Sequence, residues 1–339
     1  MSRRWSILIV GVGSIGERHL RCFGATSRAD LSLCEIQPGL RETVAGRYKV
    51  QGAFARLQDA LEAKPEAVVI CAPAHTHVPL AIEAARSGAH LLIEKPLSAG
   101  HEGIDQLQDE IARRGLTAAV AYVYRAHPVL ASMKAAIEAG EIGKPLEIVV
   151  VAGQHFPFYR PAYRDTYYRS RSTGGGAIQD AITHLVNAAE WLVGPVDSLV
   201  ADADHLSLPG VEVEDTVHVL TRHGRVMGAL SLNQHQAPNE TSITVIGDRG
   251  TARFEMHRCQ WARAAEPGGP WQIACKIDLE RDDLFTRQAE AFLDAIEGRQ
   301  PPLCTIEEGI QTLRVNLAML DSWEQRAWRT IQSEGIHHG

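Results

Sequence analysis

No run of lysine or arginine occurs in the 339-residue chain, in which 34 Lys and Arg stand against 41 Asp and Glu for a net charge of −7. Phosphate neutralisation needs clustered positive charge, so a general nucleic-acid binder is not expected. No apolar stretch approaches the roughly 18 uncharged residues that span a bilayer, which argues against a membrane protein. The opening MSRRWS runs straight into ILIVGVG, without the long apolar segment and small-residue cleavage site of a secretory signal. Six cysteines (Cys22, Cys34, Cys71, Cys259, Cys275 and Cys304) show no CxxC spacing, so reduced thiols and a cytoplasmic location are expected. Internal repeats and low-complexity tracts are missing as well. What is there, 45% hydrophobic and 22% charged residues, is ordinary for a folded globular protein, and the length suggests two domains.

The first third alternates short β-branched runs with helical patterns. Strands are expected at Ser6 to Val10, Leu31 to Glu35, Ala67 to Cys71, His90 to Glu94 and Thr117 to Tyr122, with helices between them such as Val78 to Ser87 and Gly103 to Arg113. Strand and helix in alternation imply crossovers, hence a doubly wound parallel sheet of Rossmann type over residues 1–124. Residues 125–339 change texture and predict an α+β domain with an open, mainly antiparallel sheet. A helix is expected from Pro128 to Ala139, a strand from Leu146, and one continuous helix from Ala177 to Val193, stopped by Gly194 and Pro195. Period-two alternation then gives three strands, carried by Val211 to Val219, Val226 to Leu232, and Ile243 with Val245. With no helix separating them, the three should pair antiparallel through tight turns such as His223-Gly224 and Gly247 to Gly250. Leu284 to Arg329 reads as two helices broken by Gly298 and Pro301-Pro302.

Gly11-Val12-Gly13-Ser14-Ile15-Gly16 closes the first strand and opens a helix, the context in which GxGxxG binds a dinucleotide. Gly11 permits the tight turn, Gly13 the approach of a pyrophosphate, and Gly16 close packing of helix on strand. The amides of Ser14 and Ile15 at the helix start, aided by its dipole, would hold the phosphates. Glu35 ends the second strand 24 residues after Gly11, close to the roughly 20 expected for the carboxylate that grips the adenosine ribose. A carboxylate there repels a 2′-phosphate, and Ile36, Gln37 and Pro38 supply no cation, so NAD is favoured over NADP. Arg41 is the one residue that could reach back and weaken that preference. Lys95 follows the strand His90 to Glu94 at its carboxyl end, where ligands bind in such sheets, and its ammonium could stabilise negative charge on a reacting hydroxyl. Asp180 and His184 are four apart on an expected helix and so share a face, and histidine ordinarily titrates near neutrality, as a general base requires.

The glycine turn, Pro73-Ala74-His75-Thr76-His77, Glu94-Lys95-Pro96-Leu97, Arg125 with Pro128, and Gly174-Gly175-Gly176 followed by Asp180 and His184 resemble, in order and spacing, the glucose-fructose oxidoreductase and inositol dehydrogenase family (Gfo/Idh/MocA). The resemblance covers nearly the whole chain and extends to Gly247-Asp248-Arg249-Gly250-Thr251. It implies oxidation or reduction of a sugar or cyclitol with a nicotinamide cofactor, NAD here. It also implies a homodimer or homotetramer formed through the C-terminal sheet. By the same resemblance Lys95, Asp180 and His184 are the reacting groups, with Asp180 orienting the substrate or tuning His184. Ala72, Pro73 and His77 lie near the nicotinamide, the Lys95-Pro96 bond could be cis, and Glu94 supports Lys95.

Tyr159 to Arg171 holds four of the seven tyrosines and four arginines. Tyrosine offers an apolar face with a hydroxyl and arginine a two-point clamp, so Tyr159, Tyr163, Arg164 and Tyr168, with Tyr122 and Arg125, are candidates for selecting a substrate that carries an anionic or polar appendage. The same stretch read plainly is an exposed loop packed on a neighbouring subunit. A metal held by His75, His77, Asp180 and His184 is disfavoured, because nothing in the sequence makes the two groups converge. Two further functional readings stay open: a redox-neutral glycosidase or epimerase using tightly held NAD, and a non-catalytic nicotinamide-binding regulator.

Overall fold

The computed structural model describes residues 3–331. The chain begins β1 (Trp5–Val10), α1 (Ser14–Ala25), β2 (Ala29–Cys34), α2 (Pro38–Arg47), β3 (Gly52–Phe54), α3 (Leu57–Glu62), β4 (Ala67–Ile70), α4 (His77–Arg86), β5 (His90–Ile93), α5 (Ile104–Arg114) and β6 (Ala118–Val120). These six strands form one sheet in the order β3-β2-β1-β4-β5-β6 with every neighbour parallel. Central strands of such a sheet are covered on both faces, which is why β1 and β4 read as continuous apolar runs: Ile7, Ile9, Val68, Val69 and Ile70 are wholly buried. The strand order reverses between β1 and β4, and the crevice at the carboxyl ends of such strands is where doubly wound folds take ligands. The short β3 escapes the sequence pattern because three residues carry no readable period, so Lys95 follows the fifth strand rather than the fourth.

The second half contains α6 (Pro128–Glu138), β7 (Pro145–Gly153), the single turn α7 (Phe156–Tyr159), α8 (Thr183–Val193), β8 (Ser198–Asp204), β9 (Thr216–His223), β10 (Val226–Asn233), β11 (Glu240–Gly247), β12 (Thr251–Glu255), β13 (Gln260–Ala264), β14 (Gln272–Lys276), α9 (Asp283–Ile296), α10 (Ile306–Gln325) and β15 (Arg329–Thr330). Its nine-stranded sheet has the order β14-β13-β12-β11-β7-β10-β9-β8-β15 and is antiparallel except where β7 meets β10. The chain is therefore α/β, a parallel Rossmann sheet followed by an open, mainly antiparallel one. One face is core, with Ile243, Val150, Leu230, Val219 and Ala201 side by side across five strands. On the other face Val149, Ala229 and Leu220 align in a row, and Val151, Leu220 and Met227 are half exposed.

Three expectations are corrected. The strands at 226–232 and 243–245 do not pair with each other; β7 lies between β10 and β11, because the connection 234–239 spans two strand spacings instead of making a hairpin. The strand expected from Val211 starts only at Thr216. Upstream of it the Asp215 carboxylate accepts the amides of Leu206, Ser207 and Leu208 at 3.1, 2.7 and 2.8 Å, folding the loop back so that Val211 and Val213 enter a small core. Finally, contacts divide the chain into residues 1–127 with 279–310, and residues 128–278 with 311–339. Residues 279–310, expected in the second domain, belong to the first, because the apolar face of α9 (Ala289, Phe292, Leu293) joins the core under β1 and α1. Phe292 packs edge-on against Phe23, and Trp5 Nε1 donates to Glu297 Oε1 at 2.9 Å.

Candidate functional site

In the N-terminal unit the sequence fixes the glycine turn through three different demands. Gly11 has φ +79°, in the left-handed region, and its N–H donates to Cys34 O at 2.8 Å. A Cβ on Gly16 would stand 1.8 Å from Gly11 O, so nothing larger than glycine lets α1 pass that close to β1. A Cβ on Gly13 would meet nothing within 4 Å. Gly13 caps α1 in an extended conformation without any side-chain hydrogen bond to the first turn. Ser14 is exposed and Ile15 half-buried beside it. An open helix start without a side-chain cap is a ready anion site, so these residues fit a dinucleotide pyrophosphate.

Glu35 follows β2 and is buried. Its Oε2 accepts the Val12 N–H at 3.1 Å and its Oε1 the Gln37 N–H at 2.9 Å, which leaves each carboxylate oxygen a further lone pair for a ribose hydroxyl. Arg41 does reach back, but Nη1 donates to the Glu35 backbone carbonyl at 2.7 Å and not to the carboxylate.

After β4 come Ala72, half-buried, and Pro73, exposed; His75 points to solvent. His77 opens α4 and is buried, with Nε2 2.6 Å from Ala72 O and Nδ1 2.9 Å from Pro96 O. Its ring thus ties the end of β4 to the turn after β5, and burial pushes its pKa below the ordinary histidine value. That turn carries Glu94, buried, and Lys95, half-buried, and the Lys95-Pro96 bond is cis. Glu94 Oε1 lies 2.7 Å from Nε2 of the fully buried His19 on α1, and Oε2 accepts the Lys95 N–H at 3.1 Å. Burial alone would raise the Glu94 pKa; the His19 hydrogen bond and the nearby His19 and Lys95 charges outweigh it, and the carboxyl is held below its ordinary range. Gly11, Ala72 and Lys95 thus all stand at the carboxyl ends of neighbouring parallel strands.

Tyr122 and Arg125, expected to face substrate, are buried in this unit at 1% and 4% exposure. The Arg125 guanidinium is 2.7 Å from Glu308 Oε1 and donates to Leu303 O at 3.4 Å. Its charge is already balanced inside the N-terminal unit, which corrects the expectation that it clamps an anionic substrate.

In the C-terminal unit the helix expected from Ala177 to Val193 is not continuous α. It opens with a π-helical segment, Ala177–Ile182, and becomes α-helical only at Thr183. Asp180 lies on the wider turn and His184 in the first α turn, so their alignment does not follow from the α-helical period alone. The local cause is a crowded entrance. Gly176 has φ +93°, and a Cβ there would stand 2.4 Å from Glu214 Oε1. The same Glu214 accepts the Ile178 N–H at 3.0 Å, and its backbone carbonyl accepts that of Ala177 at 2.9 Å. Arg171 Nε supports the carboxylate at 3.0 Å while its guanidinium lies over the Trp323 ring. Asp180 is buried and accepts the Tyr167 hydroxyl on Oδ1 at 2.7 Å; His184 is half-buried. The sequence flagged Tyr167 only as one of a cluster of tyrosines, because nothing in its spacing tells which ring reaches the carboxylate.

The rest of that cluster does different work. Tyr163 and Tyr168 are buried against Phe156, Leu208, Val211 and Val213. The Tyr163 hydroxyl donates to Pro209 O at 2.6 Å, Arg164 Nε donates to the same carbonyl at 2.8 Å, and the Tyr168 hydroxyl donates to Gln234 Oε1. Tyr163 and Tyr168 are therefore committed to a local core, which corrects their assignment to substrate selection, and the exposed Arg164 is held at the edge of that core by Pro209 O. Tyr159 lies on the surface with its ring edge-on to Phe158. Among the described residues no helix is long and apolar enough to cross a membrane.

Comparison with known proteins agrees with both halves of the chain. Residues 5–122 match the oxidoreductase family with an NAD-binding Rossmann fold, and residues 130–253 match the GFO/IDH/MocA C-terminal domain. The chain is 28% identical over 317 residues to an inositol 2-dehydrogenase of Rhizobium meliloti (strain 1021), with 89% of each chain covered. It is 26% identical to a UDP-N-acetylglucosamine 3-dehydrogenase of Acidithiobacillus ferrooxidans, with 92% of this chain and 94% of that one covered. Among solved structures, levoglucosan dehydrogenase in complex with NADH superposes with a TM-score of 0.89 over 98% of this chain and 100% of that chain; at 20% identity this likeness speaks to the fold alone. The chain belongs to the GFO/IDH/MocA family of NAD-binding oxidoreductases.

Proposed function

We propose that the protein is an NAD-dependent dehydrogenase of a secondary hydroxyl on a sugar, cyclitol or close derivative, with Lys95, Asp180 and His184 serving the reacting carbon. The observation that carries this reading is the position of Lys95, on a turn fixed by Glu94 and His77 at the carboxyl end of β5, in the sheet whose β1 ends in the open glycine turn. NAD, when bound, supplies the acceptor for the hydride removed from the carbinol carbon. The Lys95 ammonium donates a hydrogen bond to the substrate oxygen and steadies the negative charge that develops there. His184 takes the hydroxyl proton, and Asp180, oriented by the Tyr167 hydroxyl, fixes the substrate or the imidazole. Glu35 holds the ribose hydroxyls and disfavours a 2′-phosphate, and Tyr159 remains a surface candidate for substrate contact. The reaction class is supported by relatives named for the oxidation of inositol and of a nucleotide sugar.

We also infer that copies of the chain associate through the outer face of the large sheet, where Val149, Val151, Leu220 and Ala229 border a shallow concavity of about 350 Å³. A Leu220→Asp variant is expected to lower the mass measured by light scattering, and an unchanged mass would remove this face from the interface.

The test of the activity is a panel of cyclitols, sugars, sugar acids and nucleotide sugars incubated with NAD. NADH accumulating one for one with product supports the reading. Product formed without NADH would replace it with redox-neutral use of the cofactor.

A further inference from the structure

His19 is fully buried on the helix that springs from the glycine turn, yet it lies outside that turn and carries none of the chemistry above. Its ring is wedged between aromatic neighbours, edge-on to Phe285 at 5.6 Å and tilted against Phe23 at 6.3 Å. Nε2 is 2.7 Å from Glu94 Oε1. An ionised carboxylate only accepts, so Nε2 carries the proton and donates. Among the described residues Nδ1 is buried without a hydrogen-bond partner. Leaving a buried polar atom unmade is costly, so the orientation of this ring is decided by what Nε2 holds.

What it holds is a carboxylate with a second duty: Glu94 Oε2 accepts the backbone N–H of Lys95 at 3.1 Å. Four titratable groups interact with that carboxylate: His19 from α1, Lys95 beside it, the Cys71 thiol after β4 and the His77 imidazole from α4. Of these, His19 makes the direct side-chain hydrogen bond. Without it the buried carboxylate would keep the desolvation penalty and lose that side-chain donor, and protonation would then remove the negative charge that interacts with Lys95.

We propose that His19 is a positioning residue for the oxidoreduction: through Nε2–H on Glu94 it fixes the carboxylate that accepts the Lys95 backbone N–H, so that the helix of the cofactor turn and the residue that carries the reacting cation are set as one piece. This rests on the reading of Lys95 as a reacting group.

The test compares His19→Leu, which removes the donor, with His19→Gln, whose terminal amide can donate from nearly the place of Nε2. The chain has six lysines, so ¹³C reductive methylation gives few resonances, and Lys95→Met identifies that of Lys95. The Lys95 resonance is expected to move in His19→Leu and to return toward its original position in His19→Gln, whether or not a substrate is turned over. With the substrate that the panel identifies and NAD, kcat is expected to fall by about tenfold or more in His19→Leu while NADH affinity changes by less than roughly threefold, with His19→Gln restoring most of the rate. A Lys95 resonance unmoved by His19→Leu, or moved equally by both variants, would overturn the proposal. Full turnover in Lys95→Met would instead overturn the role of Lys95 itself, so the two failures are distinct.

Discussion

The Glu35 carboxylate accepts the Val12 N–H at 3.1 Å, so the residue that follows β2 also braces the glycine turn that follows β1. In the proposed mode of NAD binding, the same side chain would brace the phosphate cradle and meet the ribose. Replacing it with serine shortens the side chain and removes the charge. The Glu35→Ser variant is expected to raise the NADP to NAD ratio of kcat/KM by about tenfold or more, a change of about 1.4 kcal/mol. An unchanged ratio would show that Glu35 braces the turn without meeting the ribose.

Gly13 and Gly16 separate a binding role from a packing role. Gly13 has φ −63°, which alanine adopts freely, and a Cβ there enters open space. Gly13→Ala should fold with stability within about 1 kcal/mol of the parent yet bind NADH poorly, because the methyl occupies the pyrophosphate approach. Gly16→Ala forces a Cβ onto Gly11 O and should lose roughly 1–3 kcal/mol or more in urea unfolding. Equal NADH affinity in Gly13→Ala and the parent would place the phosphates elsewhere.

Glu214 gives the fold a pH signature. Burial, outweighing the Ile178 amide bond and the Arg171 guanidinium, holds its carboxyl above the ordinary range. The folded protein therefore binds this proton more tightly than the unfolded chain does. That contribution to stability is full below the ordinary carboxylate pKa and is lost as pH rises toward the folded value. Glu214→Gln keeps an acceptor for Ile178 but cannot titrate. The stability advantage of the parent over this variant, read as urea midpoints, should shrink as pH is raised from about 4 to about 7. An advantage that grows over that range would mean that the carboxyl is held ionised.

How far the sequence carried the structure depends on the length scale of each signal. The apolar runs of β1, β4 and β5 and the glycine turn are local and legible, and the parallel sheet followed from them. The pairing of β7 with both β10 and β11 is a long-range choice that hairpin logic cannot see. The return of α9 to the first unit was hidden because Ala289, Phe292 and Leu293 fit any apolar groove equally well as a pattern. At the candidate site, Glu35 and the turn around Lys95 were readable from position alone. Tyr163, Arg164, Tyr168 and Arg125 were misassigned because a chemically versatile side chain looks the same whether its partner is a substrate or Pro209 O, Gln234 or Glu308. The π-helical start before His184 was invisible for a related reason: its first residues are held by Glu214, 34 residues downstream of Asp180.

The role of Lys95 is tested most directly by turnover of Lys95→Met on whichever substrate the panel reveals, measured beside NADH binding to the same preparation. The account predicts a loss of kcat of about 10²-fold to 10³-fold or more, as expected when a charge-stabilising donor is removed, with NADH affinity within roughly threefold of the parent. Turnover equal to the parent would contradict it.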